Sequence, residues 1–499
     1  MLDADGPVPR EMLRDLLAIR RDPLAYLEGV VSRFGDLVAF PLPKTPVLLV
    51  NDPDGVRRVL VENARGYSKA TIQYGALSLV TGGGLLTSDG EAWRQRRRIA
   101  QPAFHHGTLD VVAEQAVAAA DRVALAWRAV PDGGVVDVDA ACMQATLEVV
   151  GRTLFDADLA ADGELIVAAV HDALTAVVQR ARTPQPSWLP TRANRRLARA
   201  VQTLDRTCGA VVRARRERGL AGDDRLGLLL RSADADAEGG LRDAEVRDEL
   251  VTLVIAGLET VASALSWTLL LLADHPLEQQ RVHAELDTVL AGRRAPTWAD
   301  LSALRATRAV VDEALRLFPP AWVLTRRAVA DDVVCGIDVP AGTLVVVSPW
   351  LVHRRSTNWP APRTFDPSRF AADRSGVPSG SYLPFGVGPR LCIGRDFALV
   401  ESVLALAALL RGHRVSLPVR DGRVRRPPVE ASVTLRPRGG LPLVLHRRAG
   451  WGDAVAMTTT PEEPDPDGGV NRPEPPLDPD QTGPLPLSPS DPRTRPETD

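Results

Sequence analysis

Residues 385–394 read FGVGPRLCIG, and this stretch decides the fold. Its three glycines and one proline indicate a backbone that turns sharply and packs close to something flat. The apolar, Ala/Leu-rich run Phe397–Leu410 follows at once and predicts a helix. Cys392 therefore lies just before a helix N-terminus, where unpaired N–H groups and the helix dipole favour an anionic sulfur. Such a thiolate, moderated by backbone donors, is what an axial iron ligand requires.

The spacing of five residues in this stretch carries a family resemblance. Phe385, Gly388, Arg390, Cys392 and Gly394 follow Phe-x-x-Gly-x-Arg-x-Cys-x-Gly, which resembles the haem-binding loop of the cytochrome P450 haem-thiolate monooxygenases. A lone cysteine in a Gly-rich turn is more often a buried structural residue. With the other four residues at the family's offsets, the resemblance implies that this loop binds haem and that its cysteine is the iron ligand. It also implies a mainly α fold with a small β region, built round a long central helix, in a soluble bacterial-type member.

The composition is that of a globular protein with a large core. Of the 499 residues, 45% are hydrophobic and 25% are charged, and the net charge of −3 gives no overall signature of nucleic-acid binding. The cysteines are widely spaced and form no C-x-x-C pair, so the sequence predicts neither a disulfide framework nor a zinc site. A reducing cytoplasm is the simplest location for such a chain.

One apolar run, Leu250–Leu272, is long enough to span a bilayer. The run contains Glu259, and a charged group at mid-membrane costs about 2.5–3.5 kcal/mol. We therefore interpret it as a long helix buried through the middle of the protein. Residues 1–21 hold prolines, aspartates and arginines without a long apolar stretch, so no signal peptide or membrane anchor is predicted.

The sequence predicts three segments of different character. Residues 1–20 are an N-terminal segment, residues 21–449 form the haem-thiolate catalytic domain, and residues 450–499 form a disordered tail rich in proline and acidic residues. Residues 461–499 alone hold 12 prolines and almost no aliphatic residues. Such a segment cannot bury enough apolar surface to offset the entropy lost on ordering.

The middle of the long helix contains the pentapeptide Ala256–Thr260, AGLET. The small pair Ala256 and Gly257 would let a flat ligand press against the helix, which offsets the cost of a mid-helix glycine, about 1 kcal/mol relative to alanine. Alone, the pentapeptide is more often a satisfied polar patch in a core helix. The P450 resemblance implies instead that the helix lies over the haem and that Glu259 and Thr260 relay protons to oxygen. Val261 stands where many relatives have a second threonine, so the relay depends on Thr260.

A basic helical turn, Glu91–Arg98, contains Trp93 and Arg97 four residues apart on one helix face. Taken by itself, Arg97 would be interpreted as part of a solvated basic helix face. Upstream of a P450-like cysteine loop, the resemblance implies that both residues bind a haem propionate. Arg326 falls where many relatives place a third propionate-binding residue, although Arg327 beside it leaves this assignment open by one position.

The other arginines of this turn are either solvated or face a partner. They are Arg94, Arg96 and Arg98, and Arg395 follows the cysteine loop directly. A basic patch near the thiolate would steer a small acidic ferredoxin by long-range attraction.

A second helix, predicted over Trp298–Phe318, contains Glu313 and Arg316 at a spacing that pairs them on one face. Such pairs are common on surface helices and carry little weight alone. The P450 resemblance implies a buried network that a third arginine closes, and Arg369 in the segment FDPSRF is the candidate. The role of all three residues is structural.

Shorter elements are predicted elsewhere. The residues 24–34 read as a helix, 37–40 and 47–50 as a hairpin, and 333–347 as a small sheet, whereas 67–89 read as irregular, with the mobile stretch 82–84. By resemblance, that irregular region covers the substrate pocket. The pocket residues that can be named are Leu86, Thr87, Val323 and Val433.

The resemblance implies a haem-thiolate monooxygenase that activates O2 and hydroxylates or epoxidises a hydrophobic small molecule, such as a terpenoid, fatty acid or polyketide-like compound. The cofactor would be haem b, iron protoporphyrin IX. No flavin- or ferredoxin-like segment is apparent, so NAD(P)H-derived electrons would come from ferredoxin and ferredoxin reductase or an equivalent pair. A monomeric, cytoplasmic protein that binds no nucleic acid is expected.

Two other functions stay open at this point. One is a haem-thiolate isomerase, dehydratase or peroxygenase on the same fold, and the other is a non-catalytic haem sensor. The Glu259–Thr260 pair favours oxygen activation, and no sensor or output domain is visible in the sequence.

Overall fold

A computed structural model describes residues 2–448, apart from residues 43–44, 160–161, 183–187, 220–224, 235–241 and 371–379. The chain divides into two compact units, Met1–Gly452 and Asp453–Asp499. The described residues all belong to the first unit. The predicted disordered tail lies outside the described residues, so its prediction stays open.

Helices form most of the described chain, as predicted. They are α1 (Pro9–Arg14), α2 (Leu16–Arg21), α3 (Pro23–Phe34), α4 (Pro53–Arg57), α5 (Ile72–Thr81), α6 (Gly90–Ala100), α7 (Leu109–Arg128), α8 (Val138–Phe155), α9 (Gly163–Arg182), α10 (Arg192–Arg218), α11 (Arg225–Asp234), α12 (Asp243–Asp274), α13 (Pro276–Leu290), α14 (Arg305–Leu317), α15 (Pro349–Val352) and α16 (Arg395–Leu410).

Short strands make up the small β region. They are β1 (Leu37–Phe40), β2 (Val47–Val50), β3 (Tyr67–Ser68), β4 (Val135–Asp137), β5 (Leu324–Ala328), β6 (Asp332–Val334), β7 (Ile337–Val339), β8 (Leu344–Val347), β9 (His413–Ser416), β10 (Val419–Arg420), β11 (Arg423–Val424), β12 (Val429–Ala431), β13 (Leu435–Pro437) and β14 (Pro442–Arg447).

The largest sheet has the strand order β1-β2-β8-β5-β3. In it β2 and β8 run parallel, and the other neighbours run antiparallel. A three-stranded sheet has the order β4-β14-β9, and the pairs β6–β7, β10–β11 and β12–β13 stand alone. The predicted hairpin of residues 37–40 and 47–50 is confirmed, with Leu37 opposite Val50.

Helix α12 is the core helix of the fold. It packs against α8, α10, α14 and α16. Among the described residues it is the helix long and apolar enough to cross a membrane, but 83% of its most apolar stretch is buried inside the protein. The interpretation of Leu250–Leu272 as a buried core helix is therefore confirmed, and the helix extends beyond both ends of that run.

Two local predictions are wrong. Residues 67–89 are not irregular, because they contain β3 and α5; Thr71 caps α5 by accepting a hydrogen bond from the Tyr74 amide. The helix predicted over Trp298–Phe318 begins only at Arg305. Residues 298–300 form an isolated 3-10 turn instead, because the Asp300 carboxylate turns back to accept bonds from the amide and hydroxyl of Thr297.

Candidate active site

The cysteine loop packs directly against the backbone that follows α4. Gly386 and Gly388 have φ angles of +70° and +73°, which favour glycine. A Cβ atom on Gly388 would lie 2.2 Å from the carbonyl oxygen of Leu60. The Cys392 amide donates a hydrogen bond to the Phe385 carbonyl at 3.0 Å and closes the loop just before α16. The predicted sharp turn is confirmed, whereas the flat surface expected against the loop stays a prediction.

The Cys392 thiol combines accessible surface with a desolvated environment. Its side chain is accessible to a water-sized molecule, yet surrounding protein raises its pKa. Accessibility together with a pKa raised by burial is what we expect of a thiol that lines a cavity. The Gly394 amide and the charge of Arg97 act in the opposite direction and lower this pKa. Since a coordinating metal ion deprotonates a thiol outright, the raised pKa does not oppose a role as ligand.

Helix α6 and the cysteine loop are joined by three side chains. Arg97 donates from Nη1 to the Leu391 carbonyl at 2.9 Å. The Arg390 guanidinium lies 3.9 Å from the ring centroid of Trp93 and pairs with Asp89. The structure thus places Trp93, Arg97 and Arg390 around one edge of the loop.

A cluster of buried cations extends this edge toward β5. Lys69 and Arg326 are only 9% and 8% exposed. Lys69 donates from Nζ to the Leu86 carbonyl at 2.7 Å, and Arg326 donates to the Thr325 carbonyl at 2.9 Å. Burial lowers the pKa of Lys69 well below its usual value; the charges of Arg326 and Arg390 lower it further, and Asp89 opposes them.

This cation cluster has more positive than negative charge. Burial, opposed by Asp89, brings the pKa of Arg390 down to about 10. Asp89 is the carboxylate that raises the pKa of both Lys69 and Arg390 against the effect of burial. Burying charge without a partner is costly, so the cluster suits a ligand that brings carboxylates of its own.

Lys69 was not identified from the sequence. A signal was present, since Lys69 and Lys44 are the only lysines in a chain that otherwise uses arginine.

Arg327, the neighbour of Arg326 on β5, points elsewhere, because it donates to the carbonyls of Ala70 and Gly342. Successive strand residues face opposite sides, and this separates Arg326 from Arg327.

Helix α12 has one accessible spot along its buried length. From Glu249 to Ala273 every residue is buried except Ala256, Gly257 and Thr260, which share one face. Thr260 donates from Oγ1 to the Ala256 carbonyl at 2.7 Å.

Gly257 also lies where α12 packs against α8. A Cβ atom there would lie 2.8 Å from Cγ2 of Val150 on α8. The missing side chain therefore lets α12 pack closely against α8, and the expected contact of Gly257 with a flat ligand stays a prediction. The backbone of Gly257 still belongs to the accessible spot of α12.

The Glu259 carboxylate turns away from Thr260. It is 3% exposed, and its Oε2 accepts hydrogen bonds from Thr434 Oγ1 and Arg436 Nη1, both at 3.0 Å. Arg436 also donates to Asp139 on α8 at 2.6 Å. The acid and the alcohol of the pentapeptide thus make separate contacts.

The Glu313 carboxylate lies at the centre of a buried network. Arg316 donates to it from Nε and Nη2, each at 2.7 Å, and Arg369 Nε lies 3.5 Å from Oε1. Arg316 also donates to the carbonyl oxygens of His353, Pro362 and Thr364. The network ties α14 to the segment that leads to the cysteine loop.

Arg96 is not a solvated or partner-facing residue. It is 6% exposed, and its guanidinium lies 2.9 Å from Glu245 and 3.0 Å from Glu249 of α12. The helical turn points this one arginine inward. Arg94 is half-exposed beside Glu91, and Arg98 is exposed.

The four named pocket residues are all partly exposed. Leu86 and Val433 pack on the core cluster that contains much of α12, whereas Val323 packs on a second cluster that contains Trp322 and Leu435. The Thr87 hydroxyl donates to the Gly82 carbonyl at 2.7 Å and holds the turn in which it lies.

Comparison with known proteins decides the family. The family model described as cytochrome P450 matches residues 5–443. The chain belongs to the cytochrome P450 family. Cyclooctat-9-en-7-ol 5-monooxygenase of Streptomyces melanosporofaciens is 37% identical over 418 residues, which cover 83% of this P450 and 89% of that protein.

A further relative and a solved structure support the same family assignment. Pentalenene oxygenase of Streptomyces avermitilis is 34% identical over 438 residues, which cover 87% of this P450 and 95% of that protein. The crystal structure of CYP175A1 from Thermus thermophillus is similar with a TM-score of 0.71 and 33% identity, covering 89% of this P450 and all of that chain. The mainly α fold with a small β region is thereby confirmed as the P450 fold.

The chain is a cytochrome P450 monooxygenase, and its family uses haem, O2, a hydrophobic substrate and electrons from NAD(P)H-linked partners. The site fits haem. Cys392 offers an accessible yet desolvated thiol, α12 offers a small-residue face, and the buried cation cluster offers partners for the two propionates. When bound, haem supplies the oxygen-activating chemistry.

Proposed function

We propose that this P450 holds haem b through Cys392 and inserts one oxygen atom of O2 into a terpenoid, by hydroxylation or epoxidation. The observation that carries the proposal is the Cys392 thiol, which is accessible yet desolvated and lies just before α16. The substrate class is supported by the relatives, which are named for oxidising the terpenoids cyclooctat-9-en-7-ol and pentalenene. It also suits the apolar side chains of Leu86, Val323 and Val433.

The residues around the loop divide into those that shape it and those that hold charge. Phe385, Gly388 and Gly394 shape the loop round the ligand cysteine. Trp93, Arg97, Arg326 and Arg390 bind the propionates, and Lys69 joins them. This assignment is supported by the contacts of Arg97 and Arg390 with the loop region and by the burial of Lys69 and Arg326.

The proton path uses α12. Ala256 and Gly257 leave room beside the helix, and the Thr260 hydroxyl passes a proton to the oxygen side of the cavity. Glu259 supplies that proton from the protein side. Thr260 is supported by its place on the accessible spot of α12, and Glu259 by its neighbouring position in a polar network.

Electrons come from a ferredoxin and a ferredoxin reductase. Arg94 and Arg98 are exposed on α6, whose inward residues contact the cysteine loop, and Arg395 stands at the start of α16. An acidic ferredoxin fits this basic surface by charge. The enzyme acts as a monomer in the cytoplasm.

The test is reconstitution of the purified holoenzyme. Cyclooctat-9-en-7-ol and pentalenene are incubated with NADPH, ferredoxin and reductase under ¹⁸O₂, and products are analysed by mass spectrometry. Incorporation of one labelled oxygen atom supports the proposal, and a haemochrome assay identifies haem b.

Three other outcomes would contradict it. Products that form equally from hydrogen peroxide alone would indicate a peroxygenase. Products without added oxygen would indicate an isomerase or dehydratase. Haem binding without turnover of either terpenoid would point away from this substrate class, toward a haem sensor.

A further inference from the structure

Three consecutive glycines bring the backbone before α6 directly onto the core helix. A Cβ atom on Gly84 would lie 2.2 Å from Thr252 Oγ1 and 2.7 Å from the Asp248 carbonyl oxygen, both on α12. A Cβ atom on Gly82 would lie 2.1 Å from the Asp248 carboxylate. The missing side chains therefore allow close contact between α12 and residues 82–86, which we call the glycine segment.

Two neighbouring carboxylates of α12 hold the backbone of the glycine segment. Asp248 Oδ2 accepts a hydrogen bond from the Gly83 amide at 2.7 Å, and Glu249 Oε2 accepts one from the Leu85 amide at 3.2 Å. Glu249 is 2% exposed and Leu85 is 8% exposed. A buried amide that loses its acceptor is costly, so these bonds fix where the segment lies on α12.

Helix α6 supplies the counter-charge for this contact. Arg96 lies with Nη2 2.9 Å from Glu245 Oε1 and with Nε 3.0 Å from Glu249 Oε1. Burial raises the pKa of the Glu249 carboxyl to about 7, whereas the Leu85 amide and the charge of Arg96 lower it. Arg96 therefore favours the ionised carboxylate, which is the stronger acceptor for the Leu85 amide.

The last residue of the glycine segment is the pocket residue Leu86. Its carbonyl accepts a hydrogen bond from Lys69 Nζ at 2.7 Å, and its side chain packs on the core cluster that contains much of α12. The three glycines before Leu85 have no side chains with which to pack. Hydrogen bonds to charged groups therefore set much of the position of Leu86.

We propose that Arg96 and Glu249 are positioning residues that hold the glycine segment on α12 and thereby place Leu86 against the ligand in the pocket. This inference rests on the proposed function, because it takes Leu86 as a wall of the substrate pocket. The affinity for a bulky apolar ligand then depends on an ion pair outside the pocket wall itself.

Adjacent glycines offer a matched pair of substitutions. Gly84→Ala forces the segment away from α12, because the new methyl group meets Thr252 and the backbone of Asp248. Gly83→Ala adds the same methyl group where the nearest atoms are 3.8 Å away. Neither change removes a charge, so the pair tests the position of the segment without disturbing the ion pair directly.

The ion pair has a control elsewhere in the fold. Arg411 follows α16 and is 6% exposed, as Arg96 is, and its Nη2 lies 2.7 Å from Asp121 on α7. It is likewise a buried arginine that joins two elements through a carboxylate. Arg411→Met therefore reports what the loss of such a pair costs in general.

The experiment measures the binding of imidazole and 4-phenylimidazole to the ferric holoenzyme from the shift of the Soret band. Imidazole is small, whereas the phenyl ring adds apolar surface that must be buried against the pocket wall. The ratio of the two dissociation constants thus reports contact with the wall. Hydrogen exchange of residues 82–86, haem content and melting temperature are measured alongside. The proteins compared are the wild type, Glu249→Leu, Arg96→Met, Arg96→Lys, Arg411→Met, Gly84→Ala and Gly83→Ala.

We expect Glu249→Leu, Arg96→Met and Gly84→Ala to weaken 4-phenylimidazole binding by about tenfold, because a displaced wall gives up contacts with the phenyl ring. Imidazole binding should stay at the wild-type value, and amide exchange in the glycine segment should become faster. Arg96→Lys should recover part of what Arg96→Met loses. Gly83→Ala and Arg411→Met should bind both ligands as the wild type does, although Arg411→Met should melt at a lower temperature.

Two results would overturn the inference while leaving the proposed function intact. One is a wild-type ratio of the two dissociation constants in Glu249→Leu and Gly84→Ala. The other is an equal change of that ratio in Arg411→Met, which would mark a general effect on stability. If Glu249→Leu does not fold, Gly84→Ala compared with Gly83→Ala decides. A wild type whose Soret band does not respond to imidazole would instead contradict the proposed haem site, and the inference with it.

Discussion

Arg316 and Glu313 form a two-point ion pair in which neither side chain has any exposed surface. The pair is held further by three backbone carbonyls that accept from Arg316 and by the Asp366 amide, which donates to Glu313 at 2.9 Å. It therefore fastens α14 to the segment before the cysteine loop. A buried charge that loses its partner is strongly destabilising.

Replacing the acid of this pair should destabilise the fold. We expect Glu313→Gln to lower the free energy of unfolding by about 3–5 kcal/mol, because Arg316 stays buried without its counter-charge. Urea unfolding of the holoenzyme measures this. Glu278→Gln is the matched control, since Glu278 and Arg281 have the same spacing but Arg281 is exposed, and it should cost less than about 0.5 kcal/mol. Equal effects of the two changes would refute the structural role.

Adjacent arginines on β5 should differ in their effect on haem. Arg326 is buried beside Lys69, whereas Arg327 binds the carbonyls of Ala70 and Gly342. Since a hydrogen bond to a charged group is worth about 1.5–3 kcal/mol, Arg326→Met should speed haem loss by about tenfold or more. Transfer of haem to apomyoglobin measures the rate. Arg327→Met should lose haem at the wild-type rate. If Arg327→Met loses haem faster than Arg326→Met, the propionate contact belongs to Arg327 instead.

Loss of the Thr260 hydroxyl should waste electrons. We expect Thr260→Ala to bind substrate normally but to form about threefold less product per NADPH, with the balance as peroxide, because the proton path lacks its last group. Val261 offers no substitute. Thr260→Ser should restore coupling. Thr268→Ala removes the same kind of bond, to the Ala264 carbonyl at 2.6 Å on the same helix, and should stay coupled. An unchanged ratio in Thr260→Ala would exclude the relay.

The exposed arginines of α6 should guide the electron donor. We expect Arg94→Glu with Arg98→Glu to slow ferredoxin-driven reduction by about tenfold at low ionic strength, because steering depends on charge. Reduction by dithionite and substrate affinity should not change. Arg20→Glu with Arg21→Glu is the control, since those arginines line a surface pocket beside β12. Equal rates of ferredoxin-driven reduction for the wild type and the α6 variant would show that Arg94 and Arg98 are ordinary solvated residues.

The sequence was most informative where the signal is local. The turn at Gly386 and Gly388, the start of α16 after Cys392 and the burial of α12 follow from glycines, a cysteine and apolar runs at fixed offsets. Such features depend on a few neighbouring residues. They were predicted without any knowledge of distant contacts.

Features that depend on contacts between distant segments were missed. Arg436 and Asp139 are 297 residues apart, and neither stands in a recognisable motif. Arg96 could not be told from Arg94 and Arg98, because only the position of α12 decides which arginine is buried. The scarcity of lysine marked Lys69, but its role was missed because its charged neighbours Arg326 and Arg390 are distant in the sequence.

The central claim is that Cys392 is the proximal ligand of haem, and the spectrum of the reduced, carbon monoxide-bound protein tests it most directly. The wild type should show the red-shifted Soret band of thiolate ligation, and Cys335→Ala, which removes a cysteine outside the loop, should keep it. Cys392→Ala should lose that band even where haem remains bound. A Cys392→Ala protein that keeps the red-shifted band would contradict the account.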